Sequence, residues 1–340
     1  MTTLSKPARV TVIVPNYNHA RFLRRRLQSI FDQTFQDWEL VLLDDASTDN
    51  SREVLSEFAG DSRVRTAFNA VNSGNVFKQW NKGVRMARTP YVWLAESDDA
   101  ADPRLLASLV GVLDAHPNVG LAYCQSMRID EQGAVTESLA QWTADLDPEH
   151  WTQDFINSGL DECQRYLARR GTIPNASAVV FRREVYDRIG GADESFQLCG
   201  DFVTWVRMLI VSDVAFVAAP MNYYRSHAAT QRNALLNTVR LLAEQYRVLQ
   251  FVVREVHPEP AIVQTHLDQY YYMFRQHGIP ARKTDPARYR ALCRLARRVD
   301  PAWHRRRFQS IMEGTRWGRC LLWYWERAST MMARVKRRTR

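Results

Sequence analysis

Glycine-rich phosphate loops, paired cysteines and long apolar runs are all missing from this chain of 340 residues. Neither Gly-x-Gly-x-x-Gly nor Gly-x4-Gly-Lys-Ser/Thr occurs, which sets aside the dinucleotide fingerprint and the P-loop and disfavours ATP hydrolysis. The five cysteines, at 124, 163, 199, 293 and 320, form no Cys-x-x-Cys and no close pair. Neither a zinc knuckle nor a disulfide framework is indicated, and a reducing compartment fits. No uninterrupted apolar run reaches eighteen residues, and Met1 to Arg9 carries two positive charges with no apolar stretch behind them. A membrane-spanning helix and an export signal are therefore not expected, and the cytoplasm is the expected location.

Positive charge is present in excess but unevenly. Residues 281–340 hold 18 Lys and Arg against 4 Asp and Glu, a net +14, which leaves residues 1–280 at −5. A mildly acidic body argues against a chain built to track phosphate backbones, so no specific nucleic acid is expected. The basic end mixes cations with Trp317, Trp323, Tyr324 and Trp325. Such a segment suits peripheral docking on an anionic surface at the inner face of the plasma membrane, a homodimer contact, or a solvated terminus around a packed helix.

With 46% hydrophobic residues the chain can bury a full core. Val10 to Pro15 is a β-branched run of the kind buried on both faces of a parallel sheet. The polar loop Asn16-Tyr17-Asn18-His19 follows. Residues 20–33 then read as a helix, with Phe22, Leu23, Leu27 and Ile30 on one side and Arg21, Arg24, Arg25 and Arg26 largely on a solvated face. Trp38 to Leu43 reads as a second strand running into Asp44-Asp45, and Ser47-Thr48-Asp49-Asn50 caps the next helix. A short strand over 63–68, a helix over 76–88 and a strand from Tyr91 continue the βαβ rhythm. This predicts an α/β nucleotide-binding domain with a mostly parallel central sheet and a crevice at the C-terminal edge of its strands. Strands are expected at 119–124, 178–181 and 214–218, with a helix over 160–170 between them. Amphipathic helices are expected at 238–256, 262–276, 287–298 and 303–312. The expected division is a domain over 1–230 and a helical, basic extension over 231–340.

The central stretch is Tyr91-Val92-Trp93-Leu94-Ala95, which ends in Glu96-Ser97-Asp98-Asp99. If the strand persists, Glu96 and Asp98 share a face. Asp98 is then the best single ligand for a hard divalent cation under a diphosphate, with Glu96 or Asp99 reaching it directly or through water. The plainer alternative is an acidic turn before a helix opened by Asp102-Pro103. Asp201, ahead of an apolar helix, has two open roles: a cap on the first turn, or a base for an acceptor hydroxyl. His227 is open to metal ligation, to donation to phosphate, or to an ordinary place at a strand end. Arg225 suits a phosphate or an internal carboxylate. Tyr17, Trp80 and Trp93 could frame a base or sugar or simply pack in the core.

Taken in order over roughly residues 9–230, these stretches resemble the family-2 inverting glycosyltransferases with the GT-A fold. Pro15, Asn16, Tyr17 and Asn18 stand where that family has its opening strand and nucleotide-contacting loop. Asp44 and Asp45 match its second motif, in which an aspartate contacts the nucleobase. Asn72, Gly74, Lys78, Asn81 and Gly83 lie in the segment near the donor. Glu96, Ser97 and Asp98 take the place of the metal-binding acidic motif, with glutamate where aspartate is usual. Gly200-Asp201 matches the catalytic-base motif with its first acid replaced, and Tyr224-Arg225-Ser226-His227 resembles a closing motif near the donor diphosphate.

The resemblance implies a nucleotide-diphosphate sugar donor, a hydroxyl acceptor on a glycan or lipid-linked glycan, and inversion at the anomeric carbon. It implies Mg2+ or Mn2+ held by Asp98 with Glu96 and His227, Asp201 as the base, and a place in bacterial surface polysaccharide synthesis. The departures at Glu96 and Gly200 keep open a sugar-nucleotide-binding or scaffold protein on a GT-A-like fold with little turnover.

Overall fold

The computed structural model describes residues 7–227 and 238–313. They fall into two compact units: one takes in the residues through 227 together with Phe251–Ile262, and the other residues 238–250 and 263–313.

The first unit opens with β1 (Val10–Asn16), α1 (Ala20–Phe31), β2 (Trp38–Asp44), α2 (Ser51–Phe58), β3 (Val64–Phe68), α3 (Val76–Met86) and β4 (Tyr91–Leu94). It continues with β5 (Ala100–Ala101), α4 (Leu105–Ala115), β6 (Val119–Ile129), β7 (Val135–Ser138), β8 (Phe155–Asn157) and α5 (Gly159–Glu162). β9 (Val179–Arg182), α6 (Arg183–Arg188), α7 (Gly200–Leu209) and β10 (Asp213–Arg225) complete it.

The strands form one sheet in the order β3-β2-β1-β4-β9-β6-β10-β5, with β7 added to β6 and β8 to β10. The long ladders, β1 with β2 and β10 with β6, are parallel, as are β2 with β3 and β1 with β4. β9 enters antiparallel between β4 and β6. The sheet is thus largely parallel, and its apolar runs follow from burial on both faces. Val10, Val12 and Val14 pack with Leu23, Leu27 and Ile30 of α1 and with Leu105 and Leu109 of α4. On the opposite face a Cβ at Gly83 of α3 would come within 2.4 Å of Ile13, so glycine there lets the helix close on β1. Each fully buried aliphatic side chain contributes about 1.5–3 kcal/mol.

Three expectations shift. β10 does not stop at 218 but runs to Arg225, absorbing Pro220 through register shifts between Val217 and Asn222; a bulge is where a strand tolerates proline. β6 likewise extends to Ile129 alongside it. The helix expected over 160–170 is only α5, followed by a π-helical turn at Cys163–Leu167.

The second unit is helical. It draws on α8 (Val239–Glu255), α9 (Pro260–Met273), α10 (Ile279–Thr284), α11 (Pro286–Val299) and α12 (Trp303–Glu313). Leu242, Tyr246, Leu267, Phe274, Leu292 and Trp303 form its core. Among the described residues no helix is long and apolar enough to cross a membrane. The aromatic and basic stretch from Trp317 to Arg340 lies outside them.

Candidate active site

Parallel register brings three chain reversals to one edge. Asn16 at the end of β1 pairs with Asp44 at the end of β2, and Ile13 pairs with Leu94 at the end of β4. Loops 17–19, 45–50 and 95–99 therefore crowd the C-terminal edge of the sheet, where open α/β folds place their ligands.

The acidic stretch is not a continued strand. β4 ends at Leu94, Ala95 still donates its N–H to the Ile13 carbonyl (2.8 Å), and Asp99 N closes a turn onto Glu96 O (3.2 Å). The three carboxylates diverge as a result. Glu96 accepts the indole N–H of Trp80 at 2.8 Å. Asp98 meets His227 Nε2 at 3.1 Å. Asp99 turns into the protein, accepting Arg225 N–H (2.8 Å) and Asn175 Nδ2 (2.6 Å), with Arg26 at 3.8 Å. The shared face expected for Glu96 and Asp98 is absent because the chain turns at Ser97–Asp98, directly after Glu96.

His19, Asp98 and His227 each direct one ligand atom into a cluster whose atoms lie within 4.8 Å of one another. Glu96 is not among the three. His19 Nδ1 is 2.8 Å from Ser97 Oγ, and the two imidazoles meet edge to face at 5.6 Å. Burial lowers the His19 pKa, which favours the neutral, ligating imidazole. Burial alone would raise Asp98, but the hydrogen bond with His227 and the nearby imidazoles outweigh it and hold Asp98 below its ordinary range. One carboxylate oxygen and two imidazole nitrogens at this spacing fit a divalent metal ion. In contrast, burial and the Asp98 charge lift Glu96 to about 8, against the Trp80 hydrogen bond, and burial followed by the Asp98 charge raises Asp99.

Two arginines hold the turn from below. Arg26 is fully buried instead of sitting on a solvated helix face. Its Nε donates to Glu96 O (2.8 Å) and its Nη2 to Ser177 Oγ (3.0 Å). Arg225 is also buried, donating from Nε to Asp98 O and from Nη1 to Asp130 O and Glu131 O. The guanidinium that the sequence offers to a phosphate or carboxylate is thus engaged by backbone carbonyls. Arg26 and His19 are the site-building residues that the sequence reading missed. For His19 the available signal was its position in the first of the strand-end loops.

The residues expected at the nucleotide are near this edge, but several are engaged internally. Asp44 accepts from Asn16 Nδ2 (3.0 Å), Ser47 N (3.0 Å) and Arg52 Nε (2.9 Å). Burial opposes its ionisation, yet these hydrogen bonds keep it below the usual carboxylate range. Asp45 accepts from Asn69 Nδ2, Ser73 N and Gln79 Nε2 at one oxygen and Ser73 Oγ at the other. Both acids stitch loops to the end of β2, including the one offered to a base N–H. Asn18, at φ 57°, accepts Thr48 N–H (2.7 Å). Pro15 is buried in β1, whereas Tyr17, Gly74 and Lys78 are exposed and Asn72 is half-buried. Trp80 and Trp93 are core residues.

Asp201 is the second residue of α7, whose N-cap is Cys199, so it is not the cap. Its Oδ1 accepts Phe202 N–H at 2.8 Å. Gly200 lies under Phe77 of α3: a Cβ there would stand 2.5–2.8 Å from three ring atoms. Asn81, expected near the donor, grips the segment leading to α7. Its Oδ1 accepts Tyr186 OH (2.7 Å) and Ala192 N (3.0 Å), while its Nδ2 donates to Ala192 O and Glu194 Oε1 (2.9 Å each). Asn75 Nδ2 adds bonds to Glu194 O and Phe196 O.

A largely parallel α/β sheet with a cluster at its strand ends that can hold a divalent metal is a GT-A-type fold. The chain belongs to Glycosyl transferase family 2, whose family model matches residues 11–190, and it is a glycosyltransferase-family enzyme. It is 27% identical over 252 residues to the O-antigen biosynthesis protein RfbC of Myxococcus xanthus, covering 71% of this chain and 18% of that protein. The chain spans from 18% to 66% of the length of three curated relatives that it matches.

Among solved structures, it superposes on TarS 1-349 of S. aureus in complex with UDP-GlcNAc at TM-score 0.64 and 14% identity, covering 88% of this chain and 87% of that one. It superposes on the mannosyltransferase PcManGT of Pyrobaculum calidifontis in complex with GDP-Man and Mn2+ at TM-score 0.56 and 17% identity, covering 98% and 87%. These likenesses are of fold.

Proposed function

We propose that this enzyme transfers a sugar from a nucleotide-diphosphate donor to a hydroxyl of a glycan or lipid-linked acceptor, with inversion, in the assembly of a bacterial surface polysaccharide. The observation that carries this reading is the His19–Asp98–His227 cluster at the strand ends. UDP-GlcNAc in TarS and GDP-Man with Mn2+ in the mannosyltransferase support a nucleotide-sugar donor and a metal such as Mn2+ or Mg2+. The O-antigen relative supports the polysaccharide setting.

A divalent ion would neutralise charge on the departing diphosphate. Asp98, His19 and His227 would hold it, and Arg225 and Arg26 keep Asp98 in place through the backbone of its turn. Asp201 takes the proton of the acceptor hydroxyl as its oxygen bonds to the anomeric carbon, while the carbon–oxygen bond to the donor phosphate breaks with its electron pair. Asn16, Tyr17, Asn18, Asn72, Gly74 and Lys78 are the residues we assign to the nucleotide end. Residues 281–340 supply a basic surface for an anionic membrane carrying the acceptor.

The test is a panel of nucleotide sugars with Mn2+ or Mg2+, read by thermal protection and by slow donor hydrolysis. Metal-dependent protection with hydrolysis supports the transferase. Protection without hydrolysis or transfer would favour the sugar-nucleotide-binding scaffold, and neither effect with any donor would overturn the reading.

A further inference from the structure

Seven tryptophans lie among the described residues, and six are 6% exposed or less; Trp142 is 48% exposed. It is nevertheless fixed. Its indole N–H donates to Gly171 O at 2.9 Å, and Arg170 lies over one ring face with its Cζ 5.0 Å from the centroid. Arg170 also donates to the Trp142 carbonyl and forms a two-pronged pair with Asp145, both bonds 2.8 Å. An aromatic side chain ordered at the surface before any partner arrives has already lost the rotamer freedom that binding would otherwise cost.

Its position connects it to the chemistry. Gly171 lies against the ring of Phe202, the residue after Asp201, with Phe202 Cδ2 3.5 Å from where a Cβ would be. Four residues further along, Asn175 donates to Asp99 in the acidic turn at 2.6 Å. The segment 171–175 therefore touches Trp142, the neighbour of Asp201, and the turn that carries Asp98.

We infer that Trp142 is a stacking platform for a pyranose ring of the acceptor glycan, a binding residue on the Asp201 side of the site. The inference rests on the proposed transferase reading for its biological meaning. A pyranose presents an apolar face of C–H groups and a polar rim of hydroxyls. The guanidinium over one face of the Trp142 ring and the exposed Asp145 carboxylate paired with it offer such a rim both a donor and an acceptor. A lipid chain would take this ion pair out of water and give its remaining hydrogen-bonding capacity nothing in return.

The direct test labels the protein with 5-fluorotryptophan, assigns the Trp142 fluorine line with Trp142→Phe, and titrates cellotetraose and chitotetraose. Either saccharide should shift the Trp142 line and leave the buried tryptophans in place. No shift at Trp142 with both, or an equal shift with short-chain phosphatidylglycerol, overturns the platform. This titration uses no donor, metal or turnover, so its failure is distinct from failure of the transferase reading.

Once a donor and acceptor are in hand, Trp142→Ala should raise acceptor KM about tenfold with donor KM unchanged, and Trp142→Tyr should recover most of the loss. If Trp142→Ala lowers the unfolding midpoint while acceptor KM stays at the wild-type value in Trp142→Tyr and Trp142→Ala alike, the ring is a loop support and the inference fails.

Discussion

Trp80 donates its indole N–H to Glu96 at 2.8 Å, and this bond holds Glu96 apart from the His19–Asp98–His227 cluster that its near neighbour Asp98 joins. The two acids stand two residues apart in a stretch that resembles a metal-binding motif, yet they do different work. Glu96 is half-buried against α3, where Trp80 packs on Phe77 and Trp205. Asp98 faces the two histidines. A carboxyl lifted to about 8 is mostly protonated at neutral pH, which suits an internal hydrogen bond better than cation ligation.

The ligand set can be measured directly. Asp98→Asn should weaken Mn2+ binding by about 10²-fold, and His19→Gln by about tenfold or more, because each removes a group from the proposed set of three ligands. Glu96→Gln should stay within about twofold. Calorimetric titration and Mn2+ electron-spin resonance check this without turnover. A loss in Glu96→Gln equal to that in Asp98→Asn would return Glu96 to the metal.

The same contrast has a pH signature. Glu96 rises from an ordinary 4.5 to about 8 in the folded protein, so between those values the native state binds a proton that the unfolded chain has released. Stability from this group is therefore full below about pH 4.5 and declines as pH rises through about 8. In metal-free protein, the unfolding midpoint of wild type should fall relative to that of Glu96→Gln between pH 5 and 8. Parallel pH curves for the two proteins would show that the Glu96 carboxyl is not held protonated.

Much of this was legible in the chain. β1, β2 and β4 announce themselves as continuous apolar runs because both faces of the sheet are covered, and the acids that end two of them mark the functional edge. What was not legible depends on distant partners. An arginine within the run Arg24-Arg25-Arg26 reads as solvated; only the backbone of Glu96 and the hydroxyl of Ser177 explain why Arg26 is buried. Asn81 lies in a donor-segment pattern, but its hydrogen-bond partners at 192 and 194 are more than a hundred residues away. Motif order locates a residue along the site. It does not say whether the side chain faces ligand or a neighbouring loop.

Gly200, where an acid is usual in the resembling pattern, has a local physical reason. Phe77 is buried and packs edge to face on Trp80, so its ring is not a flexible end that moves aside cheaply. Gly200→Ala should cost about 1–3 kcal/mol of stability, the range for overpacking a filled core. Adding Phe77→Leu should recover part of that loss, because the two residues share one contact. Denaturant unfolding of the two single variants and the double variant checks it, and strictly additive losses would remove the steric account.

The final prediction separates the proposed base from the residues that hold its segment. Asp201 is the second residue of α7 and not its N-cap, and an asparagine Oδ1 can still accept the Phe202 N–H, so Asp201→Asn should change stability by less than the roughly 0.5–2 kcal/mol that caps command. Its proposed loss is chemical: single-turnover transfer should slow by about 10²-fold or more while donor and metal affinity hold, because the acceptor hydroxyl then has no carboxylate to take its proton. Asn81 contributes no group to that step. Asn81→Ala removes four hydrogen bonds to Tyr186, Ala192 and Glu194, so it should lower both the unfolding midpoint and the transfer rate, again sparing donor affinity. The pH profile divides the two cases. Asn81→Ala should keep the acid-side inflection of wild type at reduced height, since the Asp201 carboxylate is still present, whereas Asp201→Asn should lose that inflection. If Asn81→Ala weakens donor binding and leaves transfer from bound donor intact, Asn81 belongs to the nucleotide end after all. If Asp201→Asn transfers at the wild-type rate, the base is another acid, and Asp193 and Glu194 on the clamped segment are the next to substitute.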